Sequence, residues 1–548
     1  MKAPRTRALW ALGWLCITAS SATAAPAAAP TASSVVETQS GEVQGLVADG
    51  ISAFKGIPYG AAPIGKLRFL PPQPRASWPN VFVATDFGAP AMQLYDRPHT
   101  GSELSLQLAT LFTMRSEQKI DNEDCLFLNV WTPGTDAKRR PVMVWLHGGG
   151  FAYGSGAWPI YDGANLARAG DVVVVTLNHR LNAFGYLQLG ERLGAEYARS
   201  GNAGMLDLVL ALEWVRNNIA AFGGNPGNVT IMGESGGGAK VSTLLAMPAA
   251  AGLFHRAIIQ SGPGLAGVSR EASNKATAAI LAELGLAGAD AKTLRTALAT
   301  LSADAILDAV GAAQEKAGPA FDALPLAPVV DGDVLPRDPF TPSAPEQSKD
   351  IAILIGWNKD EMTLFNTTAP WFGKLTDEQL PGLVQATAGG QAEELIAAYR
   401  RAHPGYTPTY LYNAILGDSF MMKGSVLLAE RKAAQRAAPA YVYYLSWDTP
   451  VGNGVFKSPH TLDIPFMFHN VDQALALTGD SPAARSLEQA MSSAWIAFAR
   501  SGDPNNPRLP SWPRYDAEQR ATMVFDAPPR VENDPKQEIR RLLSGAAR

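Results

Sequence analysis

The sequence predicts an α/β fold: one large, mostly parallel central sheet, helices on both of its faces, and helical cap insertions above it. Three observations predict it. Several short runs are apolar at every position, as strands covered on both faces must be. Segments with apolar residues at helical spacing alternate with those runs. Glycine-rich turns follow two of the runs, where a strand would hand over to a helix.

The first residues stand apart from this pattern. Lys2, Arg5 and Arg7 are basic, Ala8 to Ala19 is apolar, and Ala22-Thr23-Ala24 offers the small residues that a signal peptidase reads. This predicts a cleavable signal peptide over 1–24 and a secreted or periplasmic protein. The apolar stretch is short of the ~20 residues that span a bilayer, so no stable membrane anchor is expected. Gly13-Trp14-Leu15 before Cys16 makes a poor lipoprotein box, and Arg5 and Arg7 are not adjacent as a twin-arginine signal needs. Residues 25–34, rich in Ala, Pro and Ser, are expected to form a flexible leader. Of two cysteines, Cys16 leaves with the signal, so Cys125 would remain alone and no internal disulfide is possible.

Residues 35–90 read as β-hairpin material, with Val35, Val43, Val47, Phe54 and Ile57 set among turn glycines. Leu126–Trp131 is a short strand ended by Thr132-Pro133-Gly134. Pro141–Leu146 and Asp171–Leu177 are the continuous apolar runs of buried parallel strands. After Gly204, Leu206, Leu210, Ala211, Trp214, Val215 and Ile219 recur at helical spacing until Phe222-Gly223-Gly224 closes the helix. Asn228–Met232, Ala257–Gln260 and Ile351–Ile355 are further strands. The alanine-rich stretch at 268–316 and that from about 363 to 450 read as helical insertions. A chain of 548 residues exceeds the usual single domain, but large α/β enzymes grow by loop insertion around one sheet. No repeat or linker divides it. We therefore expect a single domain over 35–548, with cap insertions near 91–122, 264–325 and 363–450. A net charge of −4 provides no field to attract nucleic acid, which is excluded as a partner.

Two glycine motifs carry chemistry. Gly233-Glu234-Ser235-Gly236-Gly237 lies between a strand and a helix. A serine hydroxyl is a weak nucleophile and needs exposure, a base, and donors for an oxyanion. A sharp strand-to-helix turn supplies the exposure, and glycines two residues to either side let the chain pass. His147-Gly148-Gly149-Gly150-Phe151 follows the run ending at Leu146. Three consecutive glycines cost conformational entropy unless the backbone must approach something closely. Main-chain N–H groups there, with that of Gly236, suit the oxygen of a tetrahedral intermediate. The loop lacks the Lys-Ser/Thr of a phosphate-binding motif and has no dinucleotide fingerprint.

Together these motifs resemble the type-B carboxylesterase family, which includes cholinesterases and bacterial para-nitrobenzyl esterases. The resemblance covers nearly the whole chain after residue 35. It runs through Phe54-Lys-Gly-Ile-Pro-Tyr-Gly60, Glu123-Asp-Cys-Leu-Phe-Leu-Asn-Val130, Asn178-His-Arg-Leu181 and Gly201-Asn-Ala-Gly-Met-Leu-Asp207. It continues in Phe222-Gly-Gly-Asn-Pro226, the serine turn, Gln260-Ser-Gly262, the 354–361 and 460–468 segments, and Gly502-Asp-Pro-Asn505. It implies the α/β-hydrolase fold and hydrolysis of a small-molecule carboxylic ester without cofactor or metal. Amide or carbamate hydrolysis would use the same machinery. A non-catalytic binding protein of this family is the third reading, though such relatives lack the serine that stands here at 235.

In an α/β-hydrolase the nucleophile, acid and histidine follow one another in that order. Of seven histidines only His403, His460 and His469 leave room for an acid after Ser235. His403, in a His-Pro-Gly turn, reads as a surface residue. His460 precedes a segment resembling the one that follows the family's catalytic histidine, and His469 reads as structural. For the acid, Asp360 and Glu361 both follow the Ile351–Ile355 strand, where carboxylates point into the ligand crevice. The resemblance places the triad glutamate at Glu361, with Asp360 facing away. It also suggests that Glu234 packs under the elbow and that Ser261 hydrogen-bonds near the triad. The predicted site is thus Ser235, His460 and Glu361, with Gly149, Gly150 and Gly236 as oxyanion donors. Departures from the family are the missing partner for Cys125, Gly236 where many members carry alanine, and Lys240 where a small residue is common. The missing bridge would leave the 91–122 segment free at the pocket rim. Lys240 is expected to be ion-paired or solvated. Trp158, Phe365, Trp371 and Phe372 are candidates for pocket lining.

Overall fold

The computed structural model describes residues 29–94, 108, 111, 121–318, 323–388 and 391–545. The expected signal peptide, the first part of the leader and most of the 91–122 segment lie outside these residues. Fifteen strands are present among them: β1 (Thr31–Thr38), β2 (Gly41–Ala48), β3 (Ile51–Pro58), β4 (Phe82–Val83), β5 (Phe127–Thr132), β6 (Arg140–Leu146), β7 (Val173–Leu177) and β8 (Gly224–Glu234). The remainder are β9 (Arg256–Gln260), β10 (Val268–Ser269), β11 (Val329–Val330), β12 (Ala352–Asn358), β13 (Ala440–Leu445), β14 (Ala521–Phe525) and β15 (Arg530–Asn533).

Thirteen of them form one sheet in the order β1-β2-β3-β5-β7-β6-β8-β9-β12-β13-β14-β15, with β4 beside β2. Neighbours from β7 through β14 run parallel, and the pairings outside them, β4 apart, are antiparallel. The parallel core therefore has one carboxyl edge. The turns after β6, β8 and β12 all open there, as does the connection that follows β13. Open α/β sheets bind their ligands along that edge.

The apolar runs form strands because each face of the sheet has its own core. In β6, Val142, Val144 and Leu146 face one cluster, while Met143 and Trp145 face the other. On the first face lie Leu208, Ala211 and Val215 of the helix Ala203–Asn218 and Val241 and Leu244 of the helix Gly236–Leu244. On the second lie Leu487, Met491, Trp495 and Phe498 of the helix Pro482–Ser501. Burial of one such side chain stabilises by about 1.5–3 kcal/mol. Truncating Ile231 to alanine at the centre of β8 would cost about 2–5 kcal/mol. A third cluster lies under the helices Arg270–Glu283, Ala291–Thr300 and Ala303–Ala317, the insertion expected at 264–325. Ser269, Asp290 and Ser302 cap these helices, each accepting an amide N–H three residues on.

Two expectations are corrected. The first strand begins at Thr31, inside the segment expected to be a flexible leader, because it pairs with β2 as far as Thr31↔Val47. The 363–450 insertion is not wholly helical. Its last residues form β13, which pairs with β12 and β14 at the heart of the sheet. Among the described residues, no single helix is long and apolar enough to cross a membrane.

Candidate active site

Strand β8 ends at Glu234, and Ser235 turns the chain into the helix Gly236–Leu244 with φ 57° and ψ −125°. A positive φ is strained for any residue with a Cβ, and such strain tends to mark functional turns. The Ser235 N–H donates to the Gln260 carbonyl at 2.8 Å, which pins the turn to β9. The flanking glycines are needed for space. A Cβ on Gly237 would lie 2.0 Å from the Leu146 oxygen, and one on Gly233 would lie 2.5 Å from the carbonyl carbon of Gly237.

The His147–Phe151 turn leaves β6 beside this elbow. Gly149 and Gly150 both adopt positive φ, at 82° and 59°. The backbone of Gly150 lies directly over Gly236: a Cβ there would meet the Gly150 oxygen at 2.2 Å and its nitrogen at 2.5 Å. The three predicted oxyanion glycines thus share one corner of the site. The alanine that many family members carry at 236 does not fit against the turn as it stands in this chain.

His460 and Glu361 meet across 99 residues of sequence, with Nδ1 2.5 Å from Glu361 Oε2. Glu361 Oε1 accepts the Asn358 N–H at 2.7 Å, and the Asn358 amide donates to the Pro459 carbonyl at 2.8 Å. The end of β12 therefore holds both the carboxylate and the loop that carries the histidine. The other ring nitrogen, Nε2, lies 3.0 Å from Glu234 Oε1. That contact misses hydrogen-bond geometry and acts through charge.

All three groups are buried. Burial alone would depress the His460 imidazolium, but Glu234 and Glu361 outweigh it and raise its pKa to about 9. Burial pushes Glu234 up to about 8, against the pull of His460. Asp463, also raised by burial, accepts from Tyr443 Oη at 2.7 Å and Gln260 Nε2 at 2.8 Å. Sequence reasoning gave Asp463 no role, and its only signal was its place within the 460–468 segment.

The other candidates fall in different places. Asp360 faces away from His460, accepting from the Tyr406 hydroxyl at 2.8 Å and the Ser458 N–H at 3.2 Å. His403 is not a bare surface residue, because its ring stacks on Tyr406 with centroids 4.6 Å apart. His469 faces Ser492 and Gln489, on the helix Pro482–Ser501. The expected bond near the triad from Ser261 is not formed: its hydroxyl is buried without a partner. Cys125 is a buried free thiol. Of the four aromatic candidates, Phe365 packs on the His460 ring with centroids 5.2 Å apart while itself 47% exposed. Trp371 and Phe372 meet Tyr412 and Tyr410 edge to face, and Trp158 is buried with its ring stacked on Tyr161. Lys240 departs most from expectation. It is neither solvated nor ion-paired among the described residues, and its Nζ donates to the His147 carbonyl at 2.9 Å.

Parallel strands that deliver a serine, a carboxylate and a histidine to one edge, in that chain order, are the mark of the α/β-hydrolases. This chain is of that class. It belongs to the carboxylesterase family, whose sequence pattern matches residues 32–542. The para-nitrobenzyl esterase of Bacillus subtilis (strain 168) is 36% identical over 511 residues, which span 93% of this chain and 98% of that protein. The liver carboxylesterase of Sus scrofa is 35% identical over 545 residues, covering 93% of this chain and 92% of its own. Among solved structures, a carboxylesterase of Geobacillus stearothermophilus at pH 6.2 matches with a TM-score of 0.78 and 39% identity, covering 93% and 99% of the two chains. The protein is an ester hydrolase acting on small-molecule esters.

Proposed function

We propose that Ser235 is the nucleophile, His460 the general base and Glu361 its orienting acid, with the N–H groups of Gly149, Gly150 and Gly236 as the oxyanion hole. The observation that carries this reading is the strained Ser235 elbow beside a His460–Glu361 pair at 2.5 Å. As Oγ attacks the ester carbonyl carbon, its proton passes to His460 Nε2 and the carbonyl electron pair moves onto oxygen. The three N–H groups face that oxygen, and each is worth about 3–4 kcal/mol in the transition state. Collapse expels the alcohol, which takes the proton from His460. Water then attacks the acyl carbon as it gives a proton to the same nitrogen, and collapse breaks the bond to Ser235 Oγ, which takes that proton back as the acid leaves. Glu361 holds the ring's tautomer and stabilises the imidazolium without taking its proton.

Ser235→Ala tests the assignment. It should abolish turnover of short para-nitrophenyl esters, and near-normal turnover by the folded variant would refute it. We also propose export. The basic and apolar composition of residues 1–24 supports it. N-terminal sequencing of protein recovered outside the cytoplasm should find the chain beginning near Ala25, and an intact Met1 would overturn this.

A further inference from the structure

Lys240 lies on the helix that starts immediately after the nucleophile, five residues beyond Ser235, and none of it reaches solvent. Its Nζ donates to the His147 carbonyl at 2.9 Å and lies 5.4 Å from the centre of the Phe151 ring. Those are the first and last residues of the turn whose middle is Gly148-Gly149-Gly150. The Nζ group therefore grips the turn at both ends, through a hydrogen bond at one, which it donates with or without its extra proton, and at the other through a cation–π contact that it makes when protonated. The glycines between supply no side chain to hold the turn in place.

Neighbouring groups leave the ammonium without a counter-charge. His147 stacks on His179 with centroids 4.9 Å apart, and both imidazoles are kept neutral chiefly by burial. Among the described residues Lys240 forms no ion pair, and burial lowers its pKa to about 7. A buried ammonium without a carboxylate is a costly way to fill space, since an apolar side chain of equal length would fill it at lower cost. The charge has only the turn to act on.

We propose that Lys240 is a positioning residue for the oxyanion hole: it fixes the His147–Phe151 turn against the elbow, so that the Gly149 and Gly150 N–H groups meet the same point as that of Gly236. The proposal rests on the triad reading above. Its consequence is specific. Donors that act only on the developing oxyanion change kcat and leave substrate binding alone. Loosening the turn should therefore spare KM.

The experiment compares Lys240→Met with wild type on a para-nitrophenyl ester, alongside a trifluoromethyl ketone of matching acyl length as a transition-state mimic. Met preserves length and apolar bulk and removes the ammonium. The expected result is a fall in kcat of about 10–100-fold, unchanged KM, and a parallel loss of ketone affinity. Wild-type kcat in the folded variant, or a rise in KM with kcat unchanged, would overturn the proposal. If Lys240→Met does not fold, Lys240→Gln carries the same test, because its shorter side chain cannot span the distance to the His147 carbonyl. Persistent activity of Ser235→Ala would instead sink the triad reading, so the two failures are distinguishable.

Discussion

Replacing Glu234 by glutamine isolates one charge beside His460, the proposed base. His460 Nε2 lies 3.0 Å from Glu234 Oε1, and the imidazole has its pKa raised to about 9. In the proposed mechanism only neutral imidazole can take the Ser235 proton, so wild-type kcat/KM should rise with pH through about 9. Unit charges 3.0 Å apart attract by roughly 5.5 kcal/mol at an effective dielectric of about 20. That figure is a ceiling, because burial raises the pKa of Glu234 itself to about 8 and it is only partly ionised near neutrality. An opposite charge at this range shifts a pKa by about 1–3 units, and Glu361 remains to hold part of the shift. Glu234→Gln should therefore move the limb down by about 1–2 pH units. The sign is fixed by the lost anion, which stabilised the protonated ring. Near neutrality the variant should be faster, by about 10-fold, because more of its imidazole is neutral. Its alkaline plateau should fall, because the imidazolium formed in the transition state has lost a neighbouring charge. Initial rates on a para-nitrophenyl ester between about pH 6 and about pH 10, with Ser235→Ala as the blank, resolve both effects. A limb that stays in place, or moves to higher pH, refutes the assignment of Glu234 as a charge acting on the base.

Three further outcomes are expected. Gly236→Ala places a methyl 2.2 Å from the Gly150 oxygen, so the turn must shift; kcat should fall about 10–100-fold with little change in KM, as measured by steady-state kinetics on the folded variant. Glu361→Gln should lower kcat by about 10³–10⁴-fold, whereas Asp360→Asn, whose carboxylate faces Tyr406 and Ser458, should leave kcat largely intact in parallel assays. Lys240→Met should be the more stable protein, most clearly at low pH. The folded pKa of Lys240 is depressed from 10.5 to about 7, so between those values the unfolded chain holds a proton that the native one does not, and wild-type stability rises with pH. The variant lacks that slope, and urea titrations below about pH 7 should show a gain of up to about 5 kcal/mol that shrinks towards alkaline pH.

How much of this was legible in the sequence depended on whether a residue's reason for being there is local. β6 and β7 could be read because both faces of each strand are covered, which leaves Thr176 as the one polar side chain in Pro141–Leu146 and Val173–Leu177. β13 escaped because Tyr441, Tyr443 and Tyr444 carry hydroxyls and follow a long alanine-rich helix. One of those hydroxyls, on Tyr443, has a buried partner in Asp463 that only the folded chain supplies. The elbow could be read because its glycines answer to clashes with adjacent backbone, which any strand-to-helix turn of that sharpness would meet.

What could not be read is the electrostatic setting. Glu234 is next to Ser235 in sequence, yet its effect comes from His460, which lies 226 positions on and is brought to 3.0 Å by the loop after β13. Lys240 looks in sequence like any polar residue on a helix, and its burial follows from the approach of a turn 93 residues earlier. Both are charges placed at the carboxyl edge of the parallel strands, under a site where charge must develop and be discharged in each turnover. A sheet that exposes its strand ends there can tolerate such groups only because backbone carbonyls, ring faces and one another's charges stand in for water. The same packing that makes these groups costly to the fold puts their charge within reach of His460 and of the His147–Phe151 turn.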